Sequence, residues 1–255
     1  MEKTVFAFLA LALALAGCTE PQKQQAGYFE AVFQDPACTG RLCFDEIIAL
    51  DDGFVFMKQS SDMMSYDASF CSADMAKLND AFSFLDSRLK ESRFVECQGC
   101  ESFHIFYNNG KETKSRSVPV KEQEFEKEAY EKAKGLCAES MEAELVHFIY
   151  GKGKEFTDFH VFSNNKIVFE KFGLRDGELL DSSVKTITAE EFAEIKGLVP
   201  QEFFSTDSQD NCPANGYFYG YVEAVIGGKQ AAAFSCGGES PAGTTFDALK
   251  ARLSG

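Results

Sequence analysis

The chain has no tryptophan, only three histidines, and far fewer basic than acidic residues: 25 Lys and Arg against 40 Asp and Glu. The resulting net charge of −15 makes nucleic acid and anionic lipid headgroups poor partners, because their phosphates are repelled. The scarcity of histidine leaves few imidazoles for metal ligation or acid–base work. No Asn-x-Ser/Thr sequon occurs, so N-glycosylation is not expected. No Gly-x-Ser-x-Gly nucleophile turn occurs either, and no serine sits in a recognisable nucleophile context. Beyond the N-terminal segment, no run is long and apolar enough to read as a membrane span. What is abundant is apolar bulk: 45% hydrophobic residues with 26 Phe, enough to build real cores.

The one apolar run sits at the start. Met1-Glu2-Lys3 is a short, weakly charged beginning, and Val5 to Leu15 contains only Val, Phe, Ala and Leu. That length suits a signal peptide and falls short of the ~20 apolar residues a spanning helix needs. It closes in Leu15-Ala16-Gly17-Cys18. This run resembles the lipobox of bacterial-type lipoproteins. The resemblance implies that residues 1–17 are removed and that Cys18 carries a thioether-linked diacylglycerol, often with a further N-acyl chain. Two or more chains hold a protein stably on a membrane, since each buried methylene contributes about 0.8 kcal/mol. Thr19 in place of Asp after the cysteine resembles an outer-membrane rather than an inner-membrane signal. The expected location is therefore lipid-anchored, on the extracytoplasmic face of a cell or outer membrane. Residues 18–27 are the lipidated cysteine and a polar, aperiodic tether.

Removing 1–17 leaves 238 residues, room for one large domain or two small ones. It also leaves eight cysteines besides the anchor, and an even number in an exported chain points to four disulfides. Eight cysteines allow 105 pairings; the expected set is Cys38–Cys43, Cys97–Cys100, Cys71–Cys137 and Cys212–Cys236. The mature domains resemble those of other exported lipoproteins only in general layout.

That layout recurs within the chain. Ile47 to Lys58 is two apolar runs around Asp52-Gly53, a favoured hairpin turn. His160 to Lys171 has the same form around Asn164-Asn165. Both end in Val-Phe-x-Lys, at an offset of 113 from Val55 to Val168. A helix start follows each: Ser72 as a hydroxyl N-cap, and Thr188 with Glu191 as a capping box. The first helix carries Met75, Leu78, Phe82, Leu85 and Leu89; the second carries Phe192, Ile195, Leu198 and Val199 and stops before Pro200. Second hairpins turn at Asn109-Gly110 and Gly227-Gly228, with Lys111 and Lys229 just after, at an offset of 118. A last helix closes each unit, Glu122 to Leu136 and Thr244 to Leu253. Each unit opens on a strand, Tyr28–Phe33 or Leu145–Tyr150. The predicted fold is α+β: two tandem, duplicated units of antiparallel sheet with helices on one face, 28–137 and 143–255, linked through Ala138 to Glu142.

Candidate chemistry is thin. Cys97-Gln98-Gly99-Cys100 has the spacing of a redox couple. Such a couple needs a depressed thiol pKa, usually from a helix N-terminus. Here Glu96 and Glu101 flank the pair and a strand pattern follows, so a structural bridge is the better reading. Cys38, Cys43, Cys97 and Cys100 could in principle offer zinc four thiolates, but an oxidising compartment favours disulfides. His104, His147 and His160 lie in strand patterns without ligand spacing, on solvent-facing or half-buried faces. The carboxylates are too many and too scattered for any pair to stand out. Asp207 to Asn211 is acidic but lacks the ligand alternation and glycine of a calcium loop. No catalytic residue, metal or cofactor is expected. The expected role is a non-catalytic binding or structural module whose partner is an envelope or secreted protein. The alternatives are a thiol–disulfide oxidoreductase using Cys97 and Cys100, or a hydrolase with a dispersed site.

Overall fold

The computed structural model describes residues 26–37, 43–61, 66–95, 100–119, 124–152, 154–173, 178–205, 220–235 and 240–254. In the first part of the chain, β1 (Tyr28–Gln34), β2 (Phe44–Leu50), β3 (Phe54–Ser60) and β4 (Asp67–Ala73) form a meander. Helix α1 (Met75–Arg88) follows, then the short β5 (Arg93–Phe94), the hairpin β6 (Ser102–Asn108) and β7 (Thr113–Pro119), helix α2 (Glu124–Lys134), and β8 (Cys137–Ser140). These eight strands make one sheet in the order β5-β7-β6-β1-β2-β3-β4-β8, antiparallel except for the β5–β7 pair.

The second part repeats the path. A meander of β9 (Leu145–Lys152), β10 (Glu155–Phe162), β11 (Lys166–Gly173) and β12 (Leu179–Thr186) leads into helix α3 (Ala189–Gly197) and a 3-10 turn, Gln201–Phe204. The hairpin β13 (Gly220–Ile226) and β14 (Lys229–Ser235) and helix α4 (Pro241–Leu253) complete it. The sheet order is β12-β11-β10-β9-β13-β14. In both sheets the meander runs outward from its first strand, and the later hairpin docks on that strand's other edge. The α+β class with two antiparallel sheets is therefore as the sequence predicts, but each unit opens with four strands rather than one strand and a hairpin.

Helices α1 and α2 pack on one face of the first sheet through Leu78, Leu85, Leu89, Tyr130 and Leu136, against Phe29, Ile47 and Tyr107. Helices α3 and α4 cover the second sheet through Phe192, Ile195, Phe246 and Leu249, against Phe148, Val161 and Val222. The remaining faces meet. Tyr28, Ile48, Leu50, Phe54, Phe56 and Phe70 of the first sheet pack against Leu145, Phe162, Val168 and Val184 of the second. The molecule is thus a four-layer α-β-β-α stack, with strands buried on both faces. Each large apolar side chain taken fully out of water here contributes about 1.5–3 kcal/mol. Among the described residues, no helix is long and apolar enough to cross a membrane.

Local chemistry explains the boundaries. Asp74, not Ser72, caps α1: its carboxylate accepts from Ala76 N and Lys77 N at 2.9 and 3.3 Å. Ser72 is instead held in β4, which pairs with both β3 and β8. The Thr188–Glu191 capping box forms as expected. Helix α4 starts at Pro241 behind a Ser240 cap, three residues ahead of the expected start at Thr244, because proline suits the first helical position. Ala138 to Ser140, expected in the link, lies in β8 on the edge of the first sheet. Gly53 turns between β2 and β3 at φ 93°, where an L side chain would be strained. Gly220 serves another need: a Cβ there would fall 1.8 Å from Phe246 Cε2 and 2.6 Å from the Ile149 carbonyl.

The internal match needs one correction. Aligning the two Val-Phe-x-Lys runs at 113 pairs Val55, which faces the helices, with Val168, which faces the other sheet. A one-residue shift in a strand exchanges its faces. An offset of 112 restores them: Val55 matches Ile167 under the helices, and Phe56 matches Val168 between the sheets. It also matches Glu46 with Asp158 and Lys58 with Glu170. The ladders Glu30–Ile48 and His147–His160 then put Glu30 and His147 at the same place on their opening strands.

Candidate functional site

Those matched polar positions converge in one place. Between the sheets, Glu30, Glu46, Lys58, His147, Asp158, His160, Glu170 and Glu223 are all buried. Strand alternation puts them there. Asp158 and His160 share a face of β10 with Phe156 and Phe162, while Phe159 and Val161 face the helices. The ladder sets His147 beside His160 on one side and Glu223 on the other.

Lys58 crosses from the first sheet to the second. Its Nζ donates to Glu223 Oε2 and, at 3.2 Å, to the Tyr221 hydroxyl. Tyr221 donates to the same carboxylate at 3.0 Å, and Gln230 donates to its other oxygen at 3.1 Å. Burial alone would lower the Lys58 pKa, but Glu223, Tyr221 and Glu46 hold it above its ordinary value. Burial would likewise raise Glu223, yet Lys58 and His147 keep it well below the usual carboxylate range.

His147 is gripped at both nitrogens. Nε2 lies 2.9 Å from Asp158 Oδ1 and Nδ1 lies 3.4 Å from Glu223 Oε2. Burial opposes its charge, but these two carboxylates prevail and lift it to about 9. Asp158, which burial would raise, is lowered chiefly by His147 and His160. The His160 ring stacks on His147, with centroids 3.9 Å apart. Its Nε2 lies 3.4 Å from Glu46 Oε1 and its Nδ1 lies 3.6 Å from Asp158 Oδ1. Neither contact meets hydrogen-bond geometry, so both are electrostatic. Glu46 is lowered, burial being outweighed by His160, Lys58 and His147.

A second group adjoins the first. The Tyr28 hydroxyl donates to Glu170 Oε1 across the sheets. Burial, then Glu170, Glu46 and Asp158, push Glu30 well above the usual range. Burial and the Asp158 charge push Glu170 to about 8, against hydrogen bonds from Tyr28 and Glu30 that favour its ionised form. At neutral pH the Glu170 carboxyl retains its proton.

One end of the layer opens to solvent. A pocket of about 240 Å³ is walled by Phe44, Tyr66, Tyr221 and Phe234, with Glu46, Lys58, His147 and Asp158 at its floor. The Lys58 ammonium lies 4.4 Å from the centre of the Tyr66 ring and 5.1 Å from that of Tyr221, a cation–π arrangement. Phe234 is 60% exposed at the rim.

The histidine expectation is therefore overturned for two of the three. His147 and His160 are buried between sheets, not on solvent-facing or half-buried faces, because a second sheet covers the face they share. His104 stands apart, bonded to Ser102 and Ser117 and pushed down to about 4 by burial. Carboxylates that look scattered in the sequence are gathered by the ladder register. The one signal in the sequence is an Asp and a His two residues apart among Phe156, Phe159, Val161 and Phe162, apolar residues on both faces of the strand.

The cysteines lie elsewhere. Cys71 and Cys137 are joined between the end of β4 and the start of β8. Cys43 and Cys100 each take part in a disulfide. Cys18, Cys38, Cys97, Cys212 and Cys236 fall outside the described residues, as does the Asp207 to Asn211 segment. Lys111 and Lys229 are exposed at their hairpin turns. No known family profile matches the chain, and no curated protein is significantly similar to it.

Proposed function

We propose that this chain is a lipid-anchored binding module of the extracytoplasmic face, and that its ligand seats in the aromatic-walled pocket at the open end of the inter-sheet layer. One observation carries the choice of binding over chemistry. The imidazole and the ammonium on the pocket floor are already committed: His147 is held at both nitrogens, and Lys58 is held by Glu223 and Tyr221. A general base needs a free lone pair, and a nucleophilic lysine needs a lowered pKa; both groups are held in their protonated forms. The pocket offers four aromatic faces around a small volume, which suits an apolar or aromatic group presented by an envelope or secreted protein. The anchor rests on Leu15-Ala16-Gly17-Cys18.

Two measurements test this. Mass spectrometry of the N-terminal peptide should find a diacylglyceryl-modified Cys18; an intact, unmodified leader refutes the anchor. A photo-crosslinking residue at Phe234 should capture a discrete partner in the envelope, while one at Leu180, also exposed at 48% but away from the pocket, should not. Equal capture from both positions, or none from Phe234, refutes the pocket.

A further inference from the structure

We propose that His147, Asp158 and His160 form a binding site for one divalent transition-metal ion of the zinc class. The proposal does not rest on the pocket taking a ligand, although His147 and Asp158 also line that pocket. Asp158 Oδ1 stands 2.9 Å from His147 Nε2 and 3.6 Å from His160 Nδ1, and one ligand atom from each of the three residues falls within 4.8 Å of the others. Donors sharing one zinc ion at about 2.0–2.2 Å sit at this kind of separation.

His160 is 1% exposed, and among the described residues neither of its ring nitrogens makes a well-formed hydrogen bond. A buried imidazole left so is costly, and a metal ion would satisfy it. Both nitrogens face carboxylates of the cluster, Glu46 and Asp158, not apolar surroundings.

Around these rings stand three carboxylates, Glu46, Asp158 and Glu223, against one ammonium, Lys58. Metal binding displaces the proton that His147 otherwise holds, and with both imidazoles then neutral the remainder is two negative charges. One divalent ion cancels it. Two imidazoles and a carboxylate are borderline donors that favour zinc over calcium or magnesium.

Access is present as well. His147, Asp158 and Glu46 line the pocket that opens to solvent. The two rings are stacked within 16° of parallel, so their in-plane lone pairs do not yet converge. Binding requires one ring to turn, and the pocket beside His147 gives it room.

The test uses the full chain in detergent, disulfides intact, stripped with a chelator and titrated with Co²⁺ and then Zn²⁺. The expected result is one equivalent of Co²⁺ with visible d–d absorption, displaced by one Zn²⁺, and a rise in unfolding temperature on adding Zn²⁺. His160→Gln should weaken Zn²⁺ binding at least about tenfold, since even supporting residues of a metal site count for that much. His104→Gln, a histidine outside the cluster, should leave binding unchanged. Asp158→Asn serves in place of His160→Gln if that variant does not fold. Absence of the Co²⁺ band in the unsubstituted chain overturns the proposal. So does undiminished one-to-one Zn²⁺ binding in a folded His160→Gln or Asp158→Asn protein.

Discussion

Replacing Lys58 with methionine probes the inter-sheet layer most directly. Methionine keeps the length and apolar stem but removes the cation. Glu223 would keep its bonds from Tyr221 at 3.0 Å and Gln230 at 3.1 Å, and its 3.4 Å contact with His147. It would lose the ammonium that neutralises it, at a site where its side chain is 0% exposed. Breaking one half of such a buried pair costs about 3–5 kcal/mol, a large share of the ~5–15 kcal/mol by which domains are stable. Removing both charges is far milder, so Lys58→Met/Glu223→Gln should recover at least ~2 kcal/mol of that loss. Urea unfolding with disulfides intact, followed by two probes to check two-state behaviour, gives the comparison. The sign with pH is fixed as well. In the folded protein Glu223 lies below its unfolded pKa, so its contribution is present above the ordinary carboxylate range and lost as pH falls. The single-variant penalty should therefore shrink on acidification, because protonating Glu223 removes the unpaired charge. A loss under about 1 kcal/mol, or strictly additive single effects, would refute the reading of Lys58 as the layer's neutralising cation.

Three further outcomes follow from the same layer and its supports. Glu170, lifted to about 8, keeps a proton that the unfolded chain releases, so it costs stability progressively as pH rises from about 4.5 to 8. Tyr28, Glu30, Glu46 and Asp158 are the titratable groups set against it. Glu170→Gln should stabilise the fold at pH 7 by up to ~3 kcal/mol and flatten stability across that window; unchanged pH dependence in denaturation titrations would contradict it. Gly220→Ala should cost about 3 kcal/mol or more through overpacking, with only partial rescue by Phe246→Leu, since the Ile149 carbonyl still opposes the new Cβ; a thermal midpoint equal to the parent's would show that the strand can shift. Cys71→Ala/Cys137→Ala opens a bridge with a sequence separation of 66 and should cost about 4 kcal/mol on loop-entropy grounds, read as a lower urea midpoint.

Much of the architecture is legible in the sequence, for local reasons. The Asp52-Gly53 turn, the Thr188–Glu191 capping box and the apolar stripes of α1 and α3 are set by neighbours a few residues apart. What is not legible depends on distant partners. β4 carries Asp67, Ser69 and Ser72 and reads as polar, yet it forms because β3 and β8 offer it ladders on both sides. The offset of 113 is misleading because identical letters outweigh side-chain direction, which only the facing layers reveal. The candidate site is the least legible part. His147, His160 and Glu223 lie on three strands, and 76 residues separate His147 from Glu223. Nothing in the spacing of these residues signals that register brings them together.

The repeated strand path has a consequence for how such a layer can be built at all. Two identical copies of the first part, associating as separate chains, would bring two sets of Glu30, Glu46 and Lys58 together with no imidazole at the matched positions. The second part answers those positions with His147, Asp158 and Glu170. Covalent linkage makes the meeting of unlike halves obligatory and raises the effective concentration of one for the other. The chain behaves as an enforced heterodimer, in which each half is free to carry charges that it could not place opposite a copy of itself.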